Sequence, residues 1–420
     1  MSSTALLLPR IPIGDVQDLY FEALEGYRPG HYHPVHIGDL FNGGRYEVRR
    51  KLGHGTFSTV WLAHDTKTGQ YVALKILISN AGEGDEPMLS ELFKREPIQA
   101  HVYVTNFLGS FWHDGPNGHH RCLVFEPTGP SIKHRLYQLP QFQPPTASIT
   151  KIRYPMWMTR SILKNSLRAL AFLHEAGIVH GDFHQGNLLF CSDVSKIKDE
   201  SKDAQPTFPL PPLPDGTRDP YSPRYRCNAR PLEPSIGTID DFKNIKLCDL
   251  GSSHSFNSQP RRAQLPPELQ APEILLTGFV NDTVDIWSFG CMVFELITGC
   301  PLFSLHWSPQ VDKCDNILLN IFKIIGTFPN GLRQQWSQRH MIVNTRDEFV
   351  PPPWLAGGEH CYIETRMDLE DFFEHKKPND IDRNEAGQIK RLLRRIFRYD
   401  PKERPSAAEL LQEPWFARTD

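Results

Sequence analysis

The sequence predicts an α+β chain of two parts, a small antiparallel β-sheet with one helix followed by a larger, mainly helical part. Short β-type runs bounded by turn residues fill the stretch from Tyr46 to Phe125. Beyond Phe125 the apolar side chains recur at three-and-four spacing, the period of a helix buried on one face. One proline-, serine- and charge-rich stretch at 191–243 interrupts that helical part. The 420 residues are 39% hydrophobic and 23% charged, enough apolar side chain to bury a core in each part.

Taken in order, the strands are YEVRRKL at 46–52, STVWLAH at 58–64, YVALKIL at 71–77 and RCLVF at 121–125. Glu86 to Arg95 is expected as a short helix, with Leu89, Leu92 and Phe93 at helical spacing and Pro97 ending it early. The helical periodicity of the second part covers 157–175, 283–298 and 386–398. These elements divide the chain into an N-terminal extension (1–45), a sheet lobe (46–126) and a helical lobe (127–418). The 191–243 stretch is too poor in apolar residues to order itself readily, so it is expected as a surface spacer. Its removal over 196–240 should then be tolerated, because loop length changes closure free energy only weakly. The first 20 or so residues are expected to fray.

A net charge of −3 and a pI near 6.7 exclude a global field for nucleic acid or an anionic membrane. Eight scattered cysteines without a C-x-x-C pair argue for a reducing, intracellular compartment, cytoplasm or nucleus. The apolar run Ala5 to Leu8 has no basic segment before it, so no signal peptide is expected, and Ile286 to Ile297 is too short to span a membrane. His31, His33 and His36 have metal-like spacing but no acidic or cysteine companion, which favours a structural role.

Four motifs carry chemistry. Gly53-His54-Gly55-Thr56-Phe57-Ser58 lies between two strands and precedes Val72-Ala73-Leu74-Lys75. Its glycines allow backbone to approach a phosphate chain, and Lys75 supplies a point charge for phosphate oxygens. His180-Gly181-Asp182-Phe183-His184-Gln185-Gly186-Asn187 sets a carboxylate and an amide on one loop, where Asp182 can accept a hydroxyl proton and Asn187 can help hold Mg²⁺. Ile245 to Gly251 is a strand ending at Asp249, a second oxygen donor for the metal. Ala271-Pro272-Glu273, Asp285-Ile286-Trp287 and Arg404 complete the series, and their common order is far more specific than any one of them.

In these motifs, across roughly residues 46–418, the chain resembles a protein kinase, and within that group the SR-protein kinases, especially fungal ones. The likeness rests on YRPGHYHPVHIGDLFNGGRYEVRRKLGHGTFSTVWLAHD, DGPNGHHRCLVFEPTGPS, HGDFHQGN and VDIWSFGCMVFELITGCPLF, and on the position of the spacer. It implies the two-lobed protein-kinase fold, Mg²⁺ and ATP at the cleft between the lobes, and a monomer phosphorylating serine or threonine in serine/arginine-rich or other basic proteins. Catalytic roles fall to Asp182, Lys75 and Asn187, and Asn187 and Asp249 bind the metal. Leu52, Gly53, Gly55, Val60, Ala73 and Leu189 surround the nucleotide, Phe125 is the gatekeeper, and the backbone of Glu126 and Thr128 meets adenine. Glu273 and Arg404 form a buried ion pair, and Glu91, with Glu96 as the alternative, holds Lys75.

The chain departs from that family at several points. Gly181 stands where phosphorylation-switched kinases carry an arginine, His184 where a lysine is usual, and Pro266 where its threonine partner would be. Arg95 occupies an expected apolar position. A small-molecule kinase of the aminoglycoside or choline type is one rival, since H-G-D-x-H-x-x-N suits it, but it does not account for Ala271 to Glu273 or Asp285-x-Trp287. A catalytically weak pseudokinase scaffold is the other.

Overall fold

In the computed structural model the described residues are 21–81, 86–138, 152–192, 197, 205–232, 245–258, 263–304, 312–341, 344 and 367–417. The chain forms two compact units, one from 1–150 with 188–251 and the other from 151–187 with 252–420.

The first unit is built on one six-stranded antiparallel sheet. Its strands are β1 Leu40–Phe41, β2 Tyr46–Gly55, β3 Ser58–Asp65, β4 Gln70–Leu77, β5 Phe107–Gly115 and β6 Gly118–Phe125, in the order β1-β2-β3-β4-β6-β5. The four runs read from sequence are β2, β3, β4 and β6. The pattern did not reveal β5, because its residues are half-buried or exposed and leave no apolar run to recognise. Val48, Trp61, Leu74, Ile76, Cys122 and Val124 form the core of the sheet. The expected helix is present at Glu86–Arg95 and buries Leu89 and Leu92. A second helix, Pro97–Tyr103, starts at the proline that ends the first, where a missing N–H costs nothing.

Residues 205–232 depart from the expected surface spacer. Thr207–Pro209 and Tyr225–Cys227 pair as an antiparallel hairpin, and Cys227, Ala229 and Leu232 are buried. Register slips between Lys51 and Gly53 on β2, and there the Gln205 amide accepts from the Lys51 N–H at 2.8 Å and donates to the Lys51 carbonyl at 3.3 Å. Arg230 N–H donates to the same carbonyl at 3.0 Å, the Tyr225 hydroxyl accepts from Ile37 N–H at 3.0 Å, and His36 Nε2 accepts from Arg224 N–H at 2.9 Å. Composition misleads here because the segment needs no core of its own: it completes backbone hydrogen bonds that the sheet edge leaves open. The rest of the expected spacer, apart from 191, 192 and 197, lies outside the described residues, as do the first 20.

In the second unit, the helices Met156–Glu175, Val284–Thr298 and Arg383–Ile396 match the sequence periodicity closely. Every residue of Val284–Thr298 except Glu295 is buried, making it the central helix of this unit. Arg404 makes a bidentate pair with Glu273, Nη1 to Oε1 at 2.7 Å and Nη2 to Oε2 at 2.8 Å, over the Trp287 ring. This pair stands as the family resemblance implied. Among the described residues no helix is long and apolar enough to cross a membrane, and no group of His, Cys, Asp and Glu is suited to hold a metal ion by itself.

Candidate active site

The glycine-rich segment is the turn of the β2–β3 hairpin, with Gly53 opposite Val60 and Gly55 opposite Ser58. A Cβ added at Gly53 or Gly55 would meet nothing within 4 Å, and neither has a left-handed backbone. The protein's own packing therefore does not require glycine there, and the space left open suits an approaching phosphate chain. From the preceding segment, the Tyr32 hydroxyl donates to the Gly55 carbonyl at 2.7 Å and ties the hairpin turn down. No sequence motif pointed to Tyr32.

On β4, Ala73 is buried opposite Phe125, and Lys75 stands opposite Val60 and Leu123. Lys75 Nζ lies 3.0 Å from Asp249 Oδ1, so the cation and the carboxylate that the motifs separate by 174 residues come together. Asp249 has φ +62, a left-handed conformation rare for a residue with a Cβ, which costs about 1–3 kcal/mol and clusters at functional sites. Buried Leu52 lies at the β2 register shift. Leu189 is on the short strand Leu188–Phe190, which pairs with Ile245–Leu247, so the element carrying Asp249 is registered against the one carrying Leu189.

The end of β6 is fixed by polar contacts. Phe125 is buried with its ring centroid 5.7 Å from that of Phe107. Glu126 N–H donates to the Asn106 carbonyl at 2.9 Å, while its carboxylate accepts from Asn106 N–H at 2.9 Å and pairs with Lys246. Thr128 follows, half-buried. The structure does not bring Glu91 to Lys75. Leu89 and Leu92 turn inward and leave Glu91 on the exposed side of its helix, without a hydrogen bond or ion pair among the described residues. Glu86 anchors this helix instead, through Arg121 and the Ser110 hydroxyl. Glu96 stands at the N-cap position of the next helix, without a side-chain capping hydrogen bond.

In the second unit, the loop from His180 to Asn187 hangs from Asp285, which is completely buried. The Asp285 carboxylate accepts from His180 N–H at 2.8 Å, Gly181 N–H at 2.9 Å and His174 Nε2 at 3.0 Å. Burial opposes its ionisation, but the hydrogen bond and charge of His174, His180 and the Gly181 N–H outweigh that and hold the carboxyl below its ordinary range. The sequence offered Asp285 only as a motif member; its anchoring role depends on contacts across 104 and 105 residues.

Gly181 has φ +76, and a Cβ there would lie 2.6 Å from the Ser252 carbonyl oxygen. Backbone conformation and space thus both exclude the arginine that phosphorylation-switched kinases carry. Asn187 Nδ2 donates to the Asp182 carbonyl at 3.0 Å and to Asp182 Oδ2 at 3.2 Å, so the proposed base and its amide neighbour are in contact. Asp182 Oδ1 is buried and accepts no hydrogen bond. His184 Nε2 lies 3.6 Å from it.

The protein kinase domain family matches residues 46–199 and 238–416. The chain belongs to the protein kinase family. This kinase is similar to the serine/threonine-protein kinase SRPK of Physarum polycephalum, 28% identical over 96% of this chain and 93% of the relative. It is also similar to protein kinase dsk1 of Schizosaccharomyces pombe, 26% identical over 94% of this chain and 84% of the relative. A crystal structure of a kinase domain shares its fold, with a TM-score of 0.63 and 21% identity over 92% of this kinase and 98% of that chain.

Proposed function

We propose that this kinase transfers the γ-phosphoryl group of ATP to serine or threonine hydroxyls of proteins, with serine/arginine-rich or other basic sequences as its substrates. The observation that carries the proposal is the anchored loop that presents Asp182. Asp285 holds the loop through His180 N–H, Gly181 N–H and His174, and Asn187 donates to one Asp182 carboxylate oxygen, so the carboxylate that would take the hydroxyl proton is held in place. Lys75 and the glycine-rich hairpin would hold phosphate oxygens, and Leu52, Val60, Ala73, Phe125, Glu126, Thr128 and Leu189 would surround the base.

Hard oxygen donors fit Mg²⁺. Asn187 directs its amide nitrogen to Asp182, which leaves its carbonyl oxygen to offer to a cation, and Asp249 is nearly half exposed. When bound, Mg²⁺ neutralises charge on the phosphates. The SR-protein kinase likeness supports a basic protein substrate, and Ala271 to Glu273 with Asp285-x-Trp287 supports a peptide over a small molecule. No membrane or nucleic-acid partner is included, and the setting proposed is cytoplasm or nucleus, with the chain acting as a monomer.

The test is radiolabelled transfer from Mg²⁺-ATP to an arginine-serine repeat peptide. Asp182→Asn should abolish turnover with nucleotide binding retained, whereas Asp249→Asn should weaken Mg²⁺-dependent nucleotide binding. Parent-level turnover in Asp182→Asn would refute the assignment. The exposure of Glu91 favours a second reading, a scaffold with weak catalysis, which would bind nucleotide without turnover on any peptide.

A further inference from the structure

We infer that His184 is a positioning residue for Asp182, and that Gly186 is glycine so that the His184 ring can take up that position. The inference rests on Asp182 being the catalytic base. It starts from a fixed tautomer. Gly186 N–H donates to His184 Nδ1 at 2.9 Å, so Nδ1 presents a lone pair and the proton of the neutral ring sits on Nε2. Nε2 faces Asp182 Oδ1 at 3.6 Å, slightly beyond hydrogen-bond length. That oxygen is the buried one without a hydrogen bond, while its partner Oδ2 is held by Asn187.

A buried carboxylate oxygen without a donor is unfavourable, and His184 Nε2 lies 3.6 Å from it. A ring shift of a few tenths of an ångström closes the contact, and hydrogen bonds at catalytic sites commonly tighten only when substrate is bound. Gly186 is the other half of the device. A Cβ at that position would lie 2.6 Å from His184 Cε1 and 2.8 Å from Nδ1, in space the ring already fills. His184, Gly186 and Asn187 therefore act as one unit: the glycine holds the ring, the ring faces one carboxylate oxygen, and the amide fixes the other. The lysine usual at this position would bring a charge; the imidazole brings a directed, neutral donor.

A purely local role for His184 would be to accept the Gly186 N–H and shape the turn. Asparagine can do that, since its side chain accepts from a backbone N–H two residues on, but it is too short to reach Asp182. Glutamine places its amide N–H near the position of Nε2. On the full chain, His184→Asn should melt close to the parent, leave KM for ATP within about twofold and lower kcat by about ten- to a hundredfold, part of what general-base catalysis contributes. His184→Gln should recover much of the loss. Gly186→Ala should lower kcat similarly in the parent but add nothing in a His184→Ala background, because the collision is with the ring.

Parent-like kcat in His184→Asn, with Asp182→Asn inactive, overturns this inference alone. Turnover in Asp182→Asn overturns the assignment of the base and the inference with it. Independently of turnover, ¹⁵N–¹H correlation of the imidazole resonance lost in His184→Asn should show a protonated Nε2 and a bare Nδ1. The opposite tautomer would refute the proposal.

Discussion

Replacing residues 205–232 by a short Gly/Ser linker should cost far more than composition suggests, and Gln205→Ala should reproduce a defined part of the loss. The Gln205 side chain is almost fully buried, and its amide covers both backbone groups of Lys51 at the β2 irregularity. Truncation leaves the Lys51 N–H buried and unpaired, at about 1–3 kcal/mol. The linker variant also removes the buried side chains of Leu232, Cys227 and Ala229, of which the leucine alone is worth about 1.5–3 kcal/mol. It removes the partners of Ile37 and His36 as well. The sum is on the order of 5 kcal/mol, comparable with the whole stability of a marginal domain at about 5–15 kcal/mol. Differential scanning fluorimetry should show Tm lower by about 2–12 °C for Gln205→Ala, at about 2–4 °C per kcal/mol for a unit of this size, and no cooperative melt of the first unit for the linker variant. If both melt within about 1 °C of the parent, the hairpin is not part of the fold.

Three further outcomes are expected. Gly181→Arg should destabilise the second unit by about 2–4 kcal/mol in urea titrations, since it combines a left-handed backbone with a carbonyl oxygen 2.6 Å from the new Cβ; phosphatase treatment, or Ser255→Ala with Ser258→Ala, should leave turnover within about twofold. Arg404→Ala should cost about 3–5 kcal/mol, because it strands Glu273 beside a buried ring, and urea unfolding should show it. Burial first, and then the neighbouring His120 and His113, push the His33 imidazole down to about 3. The unfolded chain therefore binds a proton below about pH 6.5 that the folded chain does not, so stability falls as pH drops from about 6.5 toward 3, by up to about 1.4 kcal/mol per unit. His33→Phe should flatten that slope in urea titrations at pH 7.5 and 5.5, and an unchanged slope would exclude His33 as its source.

The sequence by itself determined the elements whose burial has a period: β2, β3, β4, β6, the Glu86–Arg95 helix and the three long helices. Its short motifs at fixed spacing also singled out Lys75, Asp182, Asn187 and Asp249, because they specify which donors and charges are supplied; the roles given to these residues are proposals. It left open everything that depends on pairing across long separations. Only tertiary structure sets Asp285 under the Asp182 loop, Asp249 against Lys75 and Gln205 against Lys51, since a buried polar group takes its partner from whatever chain segment folds against it. The same reason separates the two glutamate expectations. Glu273 found Arg404 across 131 residues, in a bidentate pair over the buried Trp287 ring. Glu91 lies off the buried face of its helix, and its rotation is set by where Leu89 and Leu92 pack and by the grip of Arg121 on Glu86, which residue counting does not reveal.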